Sequence, residues 1–278
     1  MASLPETVPL VPEVRVEGGG ARFSLRGPVD FEWTSMRVPV PNLPAELGGF
    51  RFVHLSDIHA RHYWAPAYDA LIDRLKRSPP DLLLITGDFV NDLNDHRPGL
   101  RVLKRLVPQL SSRLGTFAVL GNHDVDLVAP ELVGMNVTLL DSRRAVLEGA
   151  AGTRVELIGL CGVDRRDLDE EFIRTLPPRE PRTLRIVLSH FPDHFRLTRP
   201  LEADFYLSGH THGGQVCLPG GWPLITHDRM PKKYAKGIHR FGGTWYVVSR
   251  GLGYASLPIR VNCPPEVAEI TTVSPVSL

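Results

Sequence analysis

Five apolar, strand-like runs in this 278-residue chain end in side chains of the metal-binding type: FRFVHLSDIH, DLLLITGDFV, TFAVLGNHD, LRIVLSH and DFYLSGHTH. Short buried β-runs bounded by Gly, Ser and Asp read as strands of an α/β sheet, where ligands bind beyond the carboxyl ends of the strands. The pattern predicts that Asp57, His59, Asp88, Asn122, His190, His210 and His212 gather at one sheet edge. Seven oxygen and nitrogen donors in one place suffice for two metal ions.

The segments between the runs support that reading. Tyr68, Leu71, Ile72 and Leu75 have helical spacing and predict a helix over 65–77 that stops at Ser78-Pro79-Pro80. Leu100, Leu103, Leu106 and Leu110 predict another over 98–114, kinked or divided at Pro108. Residues 50–120 then form a parallel βαβαβ unit. Further strands are expected at 136–140, 144–148, 154–160, 184–189 and 203–208, with a helix near 168–176. Four more are expected near 237–241, 244–249, 257–261 and 266–272. The expected fold class is α/β, a two-layered β core flanked by helices. Residues 1 to about 20 read as a loosely ordered lead and 21–49 as a β-prone linker that packs on the core, with a single domain over 50–278.

Composition narrows the function classes. Lys and Arg total 32 against 31 Asp and Glu, so no global field steers the chain to nucleic acid. The three cysteines, Cys161, Cys217 and Cys263, lack Cys-X-X-Cys spacing, which argues against a disulfide framework or a thiolate zinc site and fits a reducing compartment. The amino terminus has prolines where a signal helix would need an apolar stretch, and no segment reaches the ~20 apolar residues of a membrane span. A soluble, cytoplasmic protein is the expectation.

The motifs differ in weight. Asp57-X-His59 puts two donors on one face of an extended segment, and Gly87-Asp88 exposes a carboxylate at a strand end, where it can bridge two cations. Taken singly, each is better explained by a surface pair or by a turn or cap aspartate. Gly121-Asn122-His123-Asp124 is more telling, because turns rarely need a neutral oxygen donor, an imidazole and a carboxylate in succession. A histidine beside a carboxylate can be oriented and its pKa raised, which suits a general acid. Ser189-His190 and Gly209-His210-Thr211-His212 add three imidazoles by the same strand-to-loop route.

In order, Asp-X-His, Gly-Asp, Gly-Asn-His-Asp, His and Gly-His-X-His resemble the signature of the calcineurin-like metallophosphoesterases, and the resemblance covers about residues 50–215. The segments GHTHGGQV, SRGLG and RVNCPPEVAEI are more narrowly similar to the bacterial YkuE/YaeI-like phosphodiesterase branch, itself similar to enzymes that cleave the pyrophosphate of UDP-2,3-diacylglucosamine. The resemblance implies a four-layer α/β/β/α sandwich of two mixed sheets. It also implies two divalent cations, manganese foremost, with iron, zinc or a mixed pair as alternatives. Asp57, His59 and His212 would hold one, and Asn122, His190 and His210 the other. Asp88 would bridge them, and a hydroxide shared by the metals would attack phosphorus. His123 would protonate the leaving group, with Asp124 orienting it.

Other residues admit two readings. Arg250, in Ser249-Arg250-Gly251-Leu252-Gly253, is expected to pair with a substrate phosphate. Arg61 and His62 depart from the small residues common after the first motif and read equally as loop or substrate contacts. Leu218, Trp222, Leu224 and Ile225, beside Lys232, Lys233 and Lys236, either cap the core or meet lipid at a membrane surface. The histidines at 54, 96, 194, 227 and 239 show no ligand-like context. The sequence thus predicts a phosphoesterase that hydrolyses phosphodiester or pyrophosphate bonds of small-molecule or lipid-linked substrates. Its rivals are a lipid-directed pyrophosphatase and a non-catalytic protein-binding scaffold, whose mark would be missing ligands.

Overall fold

The computed structural model describes residues 11–18, 23–25, 27–124 and 128–275; the expected lead at residues 1–10 and the glycines at 19 and 20 lie outside them. The chain opens with strands β1 (Glu13–Glu17), β2 (Phe23–Leu25) and β3 (Glu32–Pro39). Next come β4 (Arg51–Leu55), α1 (Pro66–Arg77), β5 (Leu82–Thr86), α2 (Arg97–Leu106), β6 (Thr116–Val119), α3 (Val128–Val133) and β7 (Val137–Leu139). β8 (Arg143–Glu148), β9 (Arg154–Gly159), α4 (Arg166–Thr175), β10 (Thr183–Leu188) and β11 (Phe205–Ser208) follow. The last strands are β12 (Gly237–Phe241), β13 (Thr244–Val248), β14 (Ile259–Val261) and β15 (Glu266–Val273).

Local sequence explains the helices that flank the first ligand strands. Pro66 starts α1, where its missing N–H costs nothing, and Arg74, Lys76 and Arg77 sit at the negative end of its dipole. Its buried face is Ala67, Tyr68, Leu71, Ile72 and Leu75. α2 ends at Leu106, and the chain tightens into a 3₁₀ turn at Val107–Gln109, because Pro108 cannot continue an α-helical ladder.

The strands form two mixed sheets. One has the order β1-β3-β15-β4-β5-β6-β7, with β4, β5, β6 and β7 parallel. The other has the order β12-β13-β11-β10-β9-β8, with β9, β10, β11 and β13 parallel. β2 and β14 make a small antiparallel pair. The period of two along each strand sorts the core into layers. Phe52, Leu82, Leu84, Phe117 and Val119 of the first sheet pack with Leu184, Ile186, Leu188, Phe205, Leu207, Trp245 and Val247 of the second. The alternate residues Val53, Leu55, Leu83, Ile85 and Ala118 pack with α1 and α2. On the far side Val187, Tyr206, Tyr246 and Val248 pack with Ile173 of α4 and with Phe195 and Leu201. Helix, sheet, sheet and helix follow one another in that order.

The amino-terminal part departs from the sequence reading. β3 lies inside the first sheet, paired in parallel with β15 from Glu32↔Glu266 to Pro39↔Val273, and it buries Trp33, Met36 and Val38. The core therefore begins ahead of Phe50. β1, within the expected loose lead, adds an exposed edge strand on β3.

Candidate metal centre

All seven expected donors converge, but from two sheets and not from one edge. Asp57 and His59 follow β4, Asp88 follows β5 and Asn122 follows β6, whereas His190 follows β10 and His210 and His212 follow β11. The carboxyl ends of both sheets point the same way and close on one another. Five of the seven, Asp57, His59, Asp88, His210 and His212, have positive φ between 43° and 67°. Non-glycine residues enter that region at a cost of order 1–3 kcal/mol each, and such strain clusters at functional sites.

Two groups of donors result: Asp57, His59, Asp88 and His212, and Asp88, His190 and His210. Asp88 belongs to both. One of its oxygens, Oδ2, lies 3.3 Å from His59 Nε2 and 3.3 Å from His190 Nε2. In the first group His59 Nε2 and His212 Nε2 are 3.0 Å apart, and His212 Nε2 is 3.3 Å from Asp57 Oδ1. In the second, His190 Nε2 is 3.0 Å from Asn122 Oδ1 and 3.2 Å from His210 Nδ1.

Whether these residues fit cations can be judged from the proton positions. His190 Nδ1 donates to the Thr86 carbonyl at 2.8 Å, and His210 Nε2 to the His227 carbonyl at 3.2 Å. In the neutral rings that leaves His190 Nε2 and His210 Nδ1 as lone pairs facing each other and the Asn122 oxygen. Three acceptors without a donor repel, so this pocket takes up a positive charge, either a proton on His190 Nε2 or a cation in its place. The residues fit metal ions.

Electrostatics tell the same story. Burial pushes the Asp57 carboxyl up, with Asp88 adding repulsion, although His190 and His59 oppose the rise. Burial also pushes on Asp88, but His190 and His59 hold it well below the usual carboxylate range. Burial opposes charge on His190, yet Asp88 and Asp57 raise it to about 9. Burial and His190 lower His210 to about 4. The site thus balances its buried carboxylates with a proton that an entering cation displaces.

The neighbourhood of His123 corrects the sequence reading. Asp124 does not touch the ring: its Oδ1 accepts from the Phe89 and Val90 N–H groups at 2.8 and 3.3 Å, and its Oδ2 from Gly121 N–H at 3.0 Å. It ties the Gly-Asp loop to the Gly-Asn-His loop. The His123 ring is held by Nδ1, which lies 2.9 Å from the Asn91 carbonyl, and its backbone N–H donates to Asp88 Oδ1 at 2.8 Å. Burial, more than any neighbour, lowers the His123 pKa, and the pull of Asp88 only partly offsets it.

Arg250 is corrected as well. Its Nη2 lies 2.7 Å from Glu32 Oε2 and 3.1 Å from Glu266 Oε1, the first residues of β3 and β15. A guanidinium already shared by two carboxylates has little charge to offer a phosphate. Sequence reasoning also passed over Arg260, a fully buried side chain in RVNCPPEVAEI. Its guanidinium donates to the carbonyls of Arg250, Gly253 and Cys263 at 2.6, 2.6 and 3.2 Å, and it lies 3.1 Å from His212 Nδ1. His194, without ligand-like context in the sequence, is buried between two carboxylates, its Nδ1 and Nε2 2.7 and 3.0 Å from Asp169 and Asp164.

A cleft of about 570 Å³ opens above the donors. Asp88, Asn122, His123, His210 and His212 line it, together with the apolar Val216, Leu224, Ile225 and Leu257. A cavity of about 650 Å³ at the opposite strand ends, beside Ala203 and Thr244, contains none of these donors.

A family model described as calcineurin-like phosphoesterase matches residues 50–214. The chain is 30% identical over 264 residues to the uncharacterized metallophosphoesterase YkuE of Bacillus subtilis (strain 168), spanning 92% of this chain and 91% of that protein. It is 29% identical over 236 residues to the phosphodiesterase YaeI of Escherichia coli (strain K12), spanning 81% and 82%. Among solved structures, phosphopantetheinyl hydrolase PptH from Mycobacterium tuberculosis aligns with a TM-score of 0.42 and 13% identity over 73% of this chain and 89% of that one.

Proposed function

Since the chain belongs to the calcineurin-like phosphoesterase family and is a metal-dependent phosphohydrolase, we propose that it cleaves phosphodiester or pyrophosphate bonds at a two-metal centre with His123 as general acid. The observation that supports this most is the single Asp88 oxygen 3.3 Å from one imidazole of each donor group. In this reading Asp57, His59 and His212 hold one cation, Asn122, His190 and His210 the other, and Asp88 lies between. Mixed oxygen and nitrogen donors without thiolate suit manganese, iron or zinc, and manganese is our choice on family likeness. When bound, two such ions supply an activated water and neutralise charge on the phosphoryl oxygens.

The chain's own groups do the rest. In hydrolysis a water oxygen would bond to phosphorus as the P–O bond to the leaving group breaks, and the electron pair of the broken bond goes to the leaving oxygen, which then takes a proton. The Asn91 carbonyl keeps one His123 proton on Nδ1, so the transferable proton sits on Nε2 of the imidazolium. Asp124 keeps the two donor-bearing loops in register through three backbone N–H groups.

The reading is tested with purified protein, Mn²⁺ and bis(p-nitrophenyl) phosphate, with mononitrophenyl phosphate in parallel. Turnover of the diester that Asp88→Ala abolishes is expected. No turnover of either ester, or equal turnover by Asp88→Ala, would refute it.

The apolar wall favours a second reading, a lipid-linked diester or pyrophosphate as substrate. Leu224, Ile225 and Leu257 border the cleft yet are 45%, 61% and 66% exposed, and Trp222 beside them is 52% exposed. Lys232 and Lys236 hold this loop through the carbonyls of Leu224 and Gly221, both at 2.5 Å. Binding to anionic phospholipid vesicles that weakens in Trp222→Ala would support lipid contact, and unchanged partitioning would remove it.

A further inference from the structure

The ring of His123 depends on the Asn91 carbonyl, and Asn91 is itself held from two sides. Its N–H donates to the Ala60 carbonyl at 3.2 Å, and its side-chain oxygen accepts from Arg61 Nη2 at 2.8 Å. The same Arg61 nitrogen reaches the carbonyls of Tyr254 at 3.1 Å and Ser256 at 3.4 Å. Ser256 and Leu257 line the same cleft as His123. One half-buried guanidinium therefore joins the residue that holds the acid to a loop that lines the same cleft. Arg61 itself is not among the residues that line the cleft.

From this arrangement we infer that Arg61, acting through Asn91, is a positioning residue that aims the His123 ring at the leaving oxygen. The inference rests on the general-acid reading of His123. It assigns a purpose to the arginine that follows the first metal motif, and it gives Asn91 a role that its own side-chain chemistry would not suggest.

A clamp that merely stabilised the loops would affect all substrates alike, whereas one that aims an acid affects them by leaving group. p-Nitrophenolate departs well without a proton, but phenolate and alkoxides need one. The experiment compares methyl p-nitrophenyl phosphate with methyl phenyl phosphate as substrates of the Mn²⁺-loaded full-length protein. Arg61→Ala and Asn91→Ala should each lower kcat for the phenyl ester by about tenfold or more, and for the nitrophenyl ester by less than about threefold, since general-acid catalysis is worth roughly 10²–10⁴ and misaiming forfeits part of it. The double variant should be no worse than either single one, because both cut the same connection. Arg61→Lys, which retains a donor, should recover part of the loss.

Equal losses on both esters, or none, would overturn the inference; Asn91→Ala decides the matter if Arg61→Ala does not fold. His123→Ala separates this from the parent reading. If it penalises the phenyl ester and the clamp variants do not, the positioning role fails alone. Absence of any leaving-group dependence in His123→Ala removes the acid itself, and the clamp's purpose with it.

Discussion

Replacing Arg250 by Met should damage stability and spare chemistry, the reverse of what a phosphate-binding arginine would do. The guanidinium is 13% exposed and sits 2.7 Å from Glu32 and 3.1 Å from Glu266, whose side chains are 22% and 7% exposed. Although burial opposes charge on Glu266, Arg250 and the Thr34 hydroxyl hold its pKa below the ordinary 4.5. Removing one partner of a buried pair costs about 3–5 kcal/mol. The lower end applies here, because Glu266 keeps the Thr34 hydroxyl at 2.6 Å and the backbone N–H of residue 250 at 3.1 Å. At about 2–4 °C per kcal/mol, Tm should fall by roughly 6–12 °C. A depressed carboxylate pKa means the ion pair stabilises above the ordinary value and is lost as pH falls through the folded one. The Tm gap between wild type and variant should therefore close as melts are taken below about pH 4.5. Pairing Arg250→Met with Glu266→Gln should restore part of the loss. Kinetics on the folded variant complete the test: an unchanged Tm with a KM for bis(p-nitrophenyl) phosphate raised tenfold would show that the guanidinium serves the phosphate after all.

Other perturbations probe the centre and its surroundings. A Cβ added at Gly121 would lie 2.3 Å from Asp88 Oδ1 and 2.5 Å from Asp88 N, so Gly121→Ala should cost about 1–3 kcal/mol and, by displacing the shared carboxylate, about 100-fold in kcat; wild-type turnover would count against it. Adding Mn²⁺ to chelator-treated protein should raise Tm by an amount worth about 2.7 kcal/mol at a hundredfold excess over Kd, and Asp88→Ala should remove most of the shift; a metal-independent Tm would contradict the donor assignment. Burial disfavours charge on His194, but Asp169 and Asp164 overcome it and raise its pKa. Its contribution is thus full below the ordinary 6.5 and lost as pH rises through the folded value. Urea melts should show His194→Gln about 1–3 kcal/mol less stable than wild type at pH 6 and closer to it at pH 9; a constant gap would exclude the charged pair.

The donor set was legible because each donor sits within a few residues of a short apolar strand, so its placement is a local matter. What escaped the sequence was non-local or carried by backbone. β3 reads poorly as a strand of the core because Thr34, Ser35 and Arg37 interrupt its apolar residues, and its partner β15 lies at the other end of the chain. The partners of Arg250 lie 218 residues before it and 16 after it. His123 takes its bearing from a backbone carbonyl, which leaves no mark on residue type, while the adjacent Asp124 suggested a partner that the turn points elsewhere. His194 gained its context from Asp164 and Asp169, which α4 and the loop before it bring alongside.

Each donor group draws on both sheets, the first through His212 and the second through His190 and His210. The spacing of the donors is consequently a readout of how thick the slab between the sheets is. That thickness is fixed by side chains that never meet substrate, such as Phe52 of one sheet edge-on against Phe205 of the other, with ring centroids 5.3 Å apart. The two sheets act as the jaws of a caliper, and the hydrophobic filling sets the gap. Trimming either ring would loosen that gap and shift both donor groups together, so the residues that set the geometry of the donors extend well beyond those that line the cleft.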